Sequence, residues 1–529
     1  MIFFQSDKKT IFTLFTIYTI ANLFLLLNYN GIYWDDWVLY NNEYDVLLNM
    51  HIQAAGKQGY ISTLIRYIFA NTGDIGIFLS RVLIFLFLFC TGYFLFKVLK
   101  RFEFFSPIDR FFIVLFFIIA PLNSAKIALI NFQGNLRVFI FFFAFYLVIQ
   151  YLFQKENRIL LRGFILLLFF LTFGTNSLLV FYAIVPLYIF YVTYSHKDSF
   201  NKNVFIFIKT KIDFILLPVV FYIIKSIYFM PSGIYTGYNS IKLSKVLSMD
   251  AFYKTFELNF IDPIVTSLLL IKPFIILLVV LFIFGLFLRQ NNHLQKKDLY
   301  LFSFGFLAFF LGTFAYIAVG KIPSLYNWAS RLQVLIPLGF CFMLYYGIQI
   351  ISNLLNFKEV IKLFTYCILF LSFMTFHMKE QIKYNIDWMY QKSIIENFRV
   401  NEVIKSHSTF IVKNELGDKL VDSRRLGFYQ LNGMSKVAFG DDKRFFPSTE
   451  QELKKFENFK MHKHYNFSTW EAETPMNLIL KANPRSEFNK DFYTSLKYLL
   501  KLKYLELVNE EVFIREVKKL VYFDFKGKK

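Results

Sequence analysis

Uninterrupted apolar runs, separated by short polar segments, recur from residue 10 to about residue 378, and there the pattern stops. The runs lie near 10–28, 75–96, 110–128, 136–153, 159–174, 178–194, 212–230, 264–288, 299–319, 332–351 and 360–378. Each approaches the roughly 20 residues that a helix needs to cross about 30 Å of hydrocarbon. Together they predict an α-helical polytopic membrane body over residues 1–379 with about eleven transmembrane helices. The interval 159–194 is too long for one crossing, and Gly174-Thr175-Asn176-Ser177 places turn residues at its middle, so it divides into a tight helical hairpin. The parity of the count depends on that division.

Two further patterns sit outside the runs. Within the segment 31–74, between the first two runs, the apolar spacing predicts short helices over 44–53 and 59–70. From about residue 380 polar residues dominate, and the chain reads as a small C-terminal α/β domain over 380–529. There 409–413, 426–431 and 435–439 read as short strands, and Ser448-Thr449-Glu450-Gln451-Glu452 offers a capping box for a helix through about residue 460.

Composition agrees with a chain whose solvent is lipid. The 529 residues have a mean hydropathy of +0.46, with 56% hydrophobic and 18% charged residues, outside the range of soluble globular chains. The 72 Phe and 33 Tyr suit a lipid-facing body, but an AT-rich genome gives the same bias, so they carry no functional weight. The first run follows Lys8 and Lys9, is too long for a signal-peptide core and lacks a small-x-small cleavage site, so it stays as the first span.

The formal charge of +21 is distributed in a way that sets orientation. With the N-terminus in the cytoplasm, the inward segments 1–9, 97–110, 154–162, 195–211, 289–297 and 352–362 carry 18 Lys and Arg. The outward segments 31–74, 123–137, 174–177, 231–262 and 320–331 carry 9 over a greater length. An odd number of spans then puts the C-terminal domain outside the cytoplasm. No compact basic tract or base-stacking motif is present, which argues against nucleic acid as a partner. Cys90, Cys341 and Cys367 all fall inside predicted spans and read as small packing residues. Asn466-Phe467-Ser468 fits a glycosylation acceptor pattern. There is no internal repeat, Gly-rich phosphate loop, His/Cys metal set or Ser-His-Asp pattern.

Candidate chemistry concentrates in Gly31-Ile32-Tyr33-Trp34-Asp35-Asp36-Trp37, just past the end of the first run. One reading is an interfacial aromatic belt of Tyr33, Trp34 and Trp37 with solvated acids between. It leaves the adjacent carboxylates unexplained. The other reading starts from a polyprenyl-phosphate sugar, whose anomeric carbon is bonded to a phosphate at headgroup depth, so that a catalytic carboxylate must sit at the membrane surface. A phosphate leaving group requires one general base on the acceptor hydroxyl and positive charge on the departing phosphate. Adjacent side chains point in different directions, so Asp35 and Asp36 divide the labour: one faces the acceptor, and the other orients the loop or a divalent metal, Mg²⁺ or Mn²⁺. Outer-side cations that could meet the phosphate are Arg66, Arg81, Arg137 and Arg331, the last leading into a run containing Pro337. Lys272 beside Pro273 and His51 in the first loop are weaker candidates, since a lysine near a span end snorkels and a lone His is commonly incidental.

On these features the membrane body resembles the GT-C superfamily of integral membrane glycosyltransferases. The features are an N-inside first span, an acid pair opening the first outer loop and a long first loop over 31–74. The resemblance does not extend to the C-terminal domain. It implies a polyprenyl-phosphate sugar donor, an acceptor glycan, lipid or protein at the outer face, and a role in cell-surface polysaccharide biosynthesis in a bacterial inner or plasma membrane. By the same resemblance Asp35 or Asp36 activates the acceptor, and the sequence leaves open which.

Two other classes compete. A flippase or transporter of lipid-linked saccharides would also have many spans and buried cations, but it would show repeated halves or charges at mid-membrane depth. A polysaccharide polymerase would not need the acid pair of the first loop. A non-catalytic anchor makes poor use of so many spans.

The basic-residue asymmetry generates a topology test. A reporter active only outside the cytoplasm, fused after Lys529, is expected to be active. Activity of a cytoplasmic reporter at that position would mean an even number of spans, with the 159–194 hairpin the first suspect.

Overall fold

A computed structural model describes residues 6–40, 42–153, 159–237, 239–246, 248–270, 272–288, 290, 293–457 and 462–526. Lys155, Arg158 and Arg289 of the inward basic set, and residues 458–460 at the end of the helix expected after Ser448, lie outside the described residues. The chain divides into two compact units. The first comprises Met1–Asn22, Leu83–Lys126 and Asn131–Met378, and the second Leu23–Val82, Ile127–Ile130 and Lys379–Lys529.

Among the described residues six helices are long and apolar enough to cross a bilayer: Gly73–Leu99, Leu129–Phe153, Asn176–Thr193, Lys296–Ala318, Ile336–Leu354 and Glu359–Val400. A seventh crossing exists if the pair Met249–Leu269 and Lys272–Phe287, bent by 105°, counts as one. The protein is therefore a helical membrane protein. Six or seven is fewer than the eleven apolar runs, because hydropathy counts residues whereas a span needs unbroken helix. The first run forms Asp7–Ala21, stops at Asn22 and resumes as Leu23–Leu27. The run 110–128 forms only Pro107–Ile118, since Pro121 offers no N–H and turns the residue before it away from helix. Ile159–Thr172 has 14 residues, about 21 Å of helix, well short of the hydrocarbon thickness. Phe200–Tyr228 is kinked at Lys211, where φ is −128° and ψ is 23°.

Within the first unit, Lys296–Ala318 and Ile336–Leu354 pack through small residues. A Cβ at Gly339 would lie 2.3 Å from the Phe309 nitrogen, and one at Gly305 would lie 2.8 Å from the Met343 nitrogen. In lipid, where apolar side chains gain little by leaving solvent, such backbone proximity is the main source of helix association. All three cysteines are free.

In the second unit three strands form one sheet in the order β1 (Phe410–Glu415), β2 (Met476–Ala482), β3 (Val521–Lys526). β1 runs parallel to β2, and β2 antiparallel to β3. β1 occupies the expected interval 409–413. The intervals 426–431 and 435–439, expected as strands, instead belong to one helix, Phe428–Phe439. Short apolar runs do not separate strand from helix by period, and the deciding signals flank them: Gly427 at the N-cap and Gly440 at φ 77°, a left-handed C-terminal stop. Thr449 caps Glu450–Glu457 by accepting from the Glu452 nitrogen at 3.1 Å, while the Glu452 carboxylate accepts from the Ser448 nitrogen at 2.6 Å. Tyr44–Ala55 and Gly59–Asn71 fill the two helical intervals read in the first loop. Asn466 is not a free glycosylation acceptor: it is buried and donates to the Trp37 carbonyl at 3.0 Å.

Helix Glu359–Val400 is counted with the first unit as far as Met378 and with the second from Lys379. Its later part buries a polar face. Gln381 accepts from the Leu25 nitrogen (3.0 Å), Asn385 donates to the Phe24 carbonyl (2.9 Å), and Gln391 accepts from the Trp37 indole (2.8 Å). Asp387 is gripped by Arg424 through Nε (2.9 Å) and Nη2 (2.7 Å), and it also accepts from the Gln391 amide (2.7 Å) and the Val421 nitrogen (2.9 Å). Arg424 is 4% and Asp387 0% exposed, so each charge depends on the other.

Removing one partner should cost more than removing both. Arg424→Met leaves a buried, half-satisfied carboxylate and should destabilise by about 3–5 kcal/mol. Thermal melting in detergent of Arg424→Met, Asp387→Leu and the double variant tests this, with the double variant expected to recover much of the loss. Additive losses would mean that the two charges act independently.

Candidate functional site

The turn that carries the acid pair is built from buried aromatic residues. Tyr33, Trp34 and Trp37 are all buried inside the second unit, so they do not form the interfacial belt that their sequence suggested. The Tyr33 and Trp34 rings lie 5.4 and 5.7 Å from that of Tyr384, and Trp37 lies 6.1 Å from Trp388. Trp34 has φ 47°, a left-handed conformation that costs a bulky residue about 1–3 kcal/mol and persists only where packing over-determines it. Here that packing includes the Arg424 guanidinium, 5.8 Å from the Trp34 ring. The strained residue reverses the chain, and Asp35 then becomes the N-cap of the one-turn helix Asp36–Leu39.

The two acids face opposite ways. Asp36 is 1% exposed, and its two oxygens accept from the backbone nitrogens of Leu129 and Ile130, both at 2.8 Å. Burial pushes its carboxyl up to about 7, against the pull of those amides and of Arg81. Asp36 therefore holds backbone. Asp35 is half-buried and accepts a hydrogen bond from the Tyr429 hydroxyl. Burial and then the Asp35 charge raise the Tyr429 phenol, and the same two causes raise Tyr465. Tyr429 is brought here by helix Phe428–Phe439, which approaches the acid turn through Gly433: a Cβ there would lie 3.0 Å from both the ring and the carbonyl of Trp37.

Arg81 and Arg66, read from sequence as phosphate ligands, serve the same backbone segment as Asp36. Arg81 is 1% exposed; it donates to the carbonyls of Asn28 and Gly31, and at 3.5 Å to that of Ile127. Arg66 donates to the Ile130 carbonyl at 3.2 Å and lies 2.7 Å from His51 Nε2. Burial and then the Arg66 charge lower the His51 imidazole to about 3, so it is neutral at physiological pH. Its Nε2 then accepts from Arg66, and its Nδ1–H donates to Thr63 Oγ1 at 3.0 Å.

Arg137 and Arg331 belong to the first unit, where Arg137 meets the turn at Gly174 and Thr175. That turn divides the long apolar run where the sequence placed it. Arg137 donates to Thr175 Oγ1 at 3.3 Å, and a Cβ at Gly174 would lie 2.7 Å from its Nη2, so glycine is what lets the guanidinium lie against the turn. Lys225, which the sequence did not single out, donates to Asn176 Oδ1 at 2.6 Å. Ser177 Oγ is 2.9 Å from the Tyr316 hydroxyl, and Tyr316 lies within the field of Arg331. Arg331 itself stacks on Trp328 at 4.1 Å and donates to the Trp328 carbonyl at 2.9 Å. Lys272 is exposed at the start of Lys272–Phe287.

Among the described residues, no group of three or more His, Cys, Asp or Glu side chains is gathered as a metal site would need. Asp36 has both oxygens on amides. Mg²⁺ or Mn²⁺ would have Asp35 as its carboxylate from the acid pair, with the other ligands from substrate phosphate or water.

Different duties imply different variants. Asp36→Asn turns an amide NH₂ toward a backbone N–H and should destabilise the protein by about 1–3 kcal/mol, lowering abundance and melting temperature. Asp35→Asn should leave both unchanged. Equal melting temperatures for the two variants would mean that Asp36 does not hold the 129–130 backbone.

No protein-family model matches the chain, and comparison with curated proteins and with solved structures gives no match.

Proposed function

We propose that the chain is a GT-C-like glycosyltransferase that moves a sugar from a polyprenyl-phosphate donor to an acceptor glycan, lipid or protein, with Asp35 as the general base. The observation that carries this reading is the asymmetry of the acid pair. Asp36 is closed off by backbone amides, while Asp35 stays half-buried with a phenol donor on it, partly shielded from water yet reachable. The step is a displacement at the anomeric carbon. The acceptor hydroxyl gives its proton to the Asp35 carboxylate, its oxygen bonds to the anomeric carbon, and the bond from that carbon to the phosphate oxygen breaks. Polyprenyl phosphate leaves with the electron pair, and positive charge on it lowers the barrier. Arg331 and Arg137 are the cations we assign to that phosphate, from their place in the sequence at the start of apolar runs.

The same proposal includes the finer topology: about eleven crossings, the N-terminus in the cytoplasm, and the C-terminal α/β region outside it. It requires Asp7–Leu27, Pro107–Ile118, Ile159–Thr172 and Phe200–Tyr228 to sit in the bilayer beside the longer helices. One observation favours a transporter of lipid-linked saccharides instead: the bent pair around residue 270, whose first member contains the π-helical turn Glu257–Ile261, is the kind of broken helix that transporters use. The exposed position of Lys272 weighs against an ion path there.

Asp35→Asn keeps the size of the side chain and removes the base, so glycan transfer should fall by about 10²- to 10⁴-fold at normal abundance. Arg137→Ala and Arg331→Ala should weaken donor use more than Lys57→Ala, a first-loop control. Arg→Lys should rescue only partly, because an ammonium cannot grip two phosphate oxygens as a guanidinium does. Normal transfer by Asp35→Asn would remove the enzyme reading and leave the transporter in front.

A further inference from the structure

Within the second unit lies a cavity of about 290 Å³ whose walls are largely polar. Four carboxylates line it, Asp74, Glu396, Glu506 and Glu510, against two cations, Lys392 and Arg399. Tyr29 and Tyr40 add half-buried aromatic surface. The polar groups are fixed. Asn30 donates to Asp74 (3.2 Å) and to Glu506 (2.8 Å), and its carbonyl accepts from the Trp388 indole (2.9 Å). Burial alone would raise the Glu506 carboxyl, but Lys503 at 3.2 Å and Lys392 at 3.7 Å hold it below the usual carboxylate range. Lys392 also lies 5.2 Å over the Trp388 ring, and Arg399 is paired with Glu396 at 2.5 Å. Glu510, itself exposed, opens the helix Glu510–Lys518 and brings its charge to the wall.

The chemistry of this lining selects an occupant. The excess of carboxylates disfavours phosphate, so the cavity is unsuited to the head of a phosphorylated lipid. Fixed acceptors alternating with ammonium, guanidinium and amide donors complement a ring of vicinal hydroxyls, each of which donates and accepts. Tyrosine rings suit the C–H face of a pyranose, being apolar bodies with a polar tip. The volume sits at the small end of ligand pockets, enough for one or two sugar rings. Trp37, which also lines the cavity, belongs to the one-turn helix whose N-cap is Asp35.

We infer that this cavity binds a saccharide unit of the acceptor, a neutral or amine-bearing sugar, on the same turn that carries the Asp35 carboxylate. The word acceptor rests on the glycosyltransferase reading; the sugar site does not.

Saturation-transfer NMR on the purified full-length protein in detergent tests it, with galactose, N-acetylglucosamine and glucosamine as probes and inorganic phosphate and a lysine-rich peptide as comparisons. At least one sugar should receive saturation and phosphate should not. Ile514→Trp, which fills the cavity from its wall, and Glu510→Lys, which reverses a rim charge, should each weaken sugar binding about tenfold or more at unchanged melting temperature. Sugar binding that both cavity variants retain, or binding of the peptide and none of the sugars, overturns the inference, as does the absence of any sugar signal. Binding that behaves as expected while Asp35→Asn still transfers would uphold the sugar site and remove the glycosyltransferase reading.

Discussion

Four residues, Ile127–Ile130, are held in the second unit by three charged side chains from the first loop and the helix that follows it. Asp36 accepts from the nitrogens of Leu129 and Ile130, Arg66 donates to the Ile130 carbonyl, and Arg81 reaches the Ile127 carbonyl. Such short irregular segments carry backbone groups that cannot be left unpaired away from water, and here charged side chains supply the partners. Because Asp36 is committed to this segment, the turn at Trp34 is fixed, and with it the direction in which Asp35 points. The orientation of the candidate base is thus a consequence of where a neighbouring backbone finds its hydrogen bonds.

The polar face of the helix from Lys379 to Val400 extends the same logic. Gln381 and Asn385, one turn apart, meet the backbone of Leu25 and Phe24 at the end of the first run, Gln391 meets Trp37 of the first loop, and Asp387 holds Arg424 just before the helix that bears Tyr429. Buried polar networks of this kind add little net stability relative to apolar packing, but they are demanding about geometry. They suit a site in which one carboxylate must be held at a defined angle, and they explain why the first loop and residues 379–529 form one compact unit.

Helical membrane architecture was legible in the apolar runs, because lipid leaves the backbone no alternative to internal hydrogen bonding. So were the two first-loop helices, the break in the long apolar run at Gly174 and the cap at Thr449, each set by local residue chemistry. The number of long helices was not, since Asn22, Pro121 and Lys211 mark breaks that a hydropathy average smooths over. Strand and helix are not separated by period at 426–439, where short apolar stretches fit either, and the helix is set by its caps, Gly427 and Gly440.

At the acid pair, sequence by itself determined that two carboxylates stand among aromatic residues after the first run, and that adjacent side chains must diverge. Only tertiary structure decided which acid is which, since the amides that claim Asp36 lie more than ninety residues along the chain. The same holds for the cations. Arg66, Arg81, Arg137 and Arg331 look alike in sequence, as basic residues near apolar runs. Folding turns the first two onto backbone carbonyls, brings Arg137 to the turn at Gly174 together with Lys225, and stacks Arg331 on Trp328. A guanidinium's role is set by the acceptors it meets, and those acceptors come from parts of the chain that no local pattern brings together.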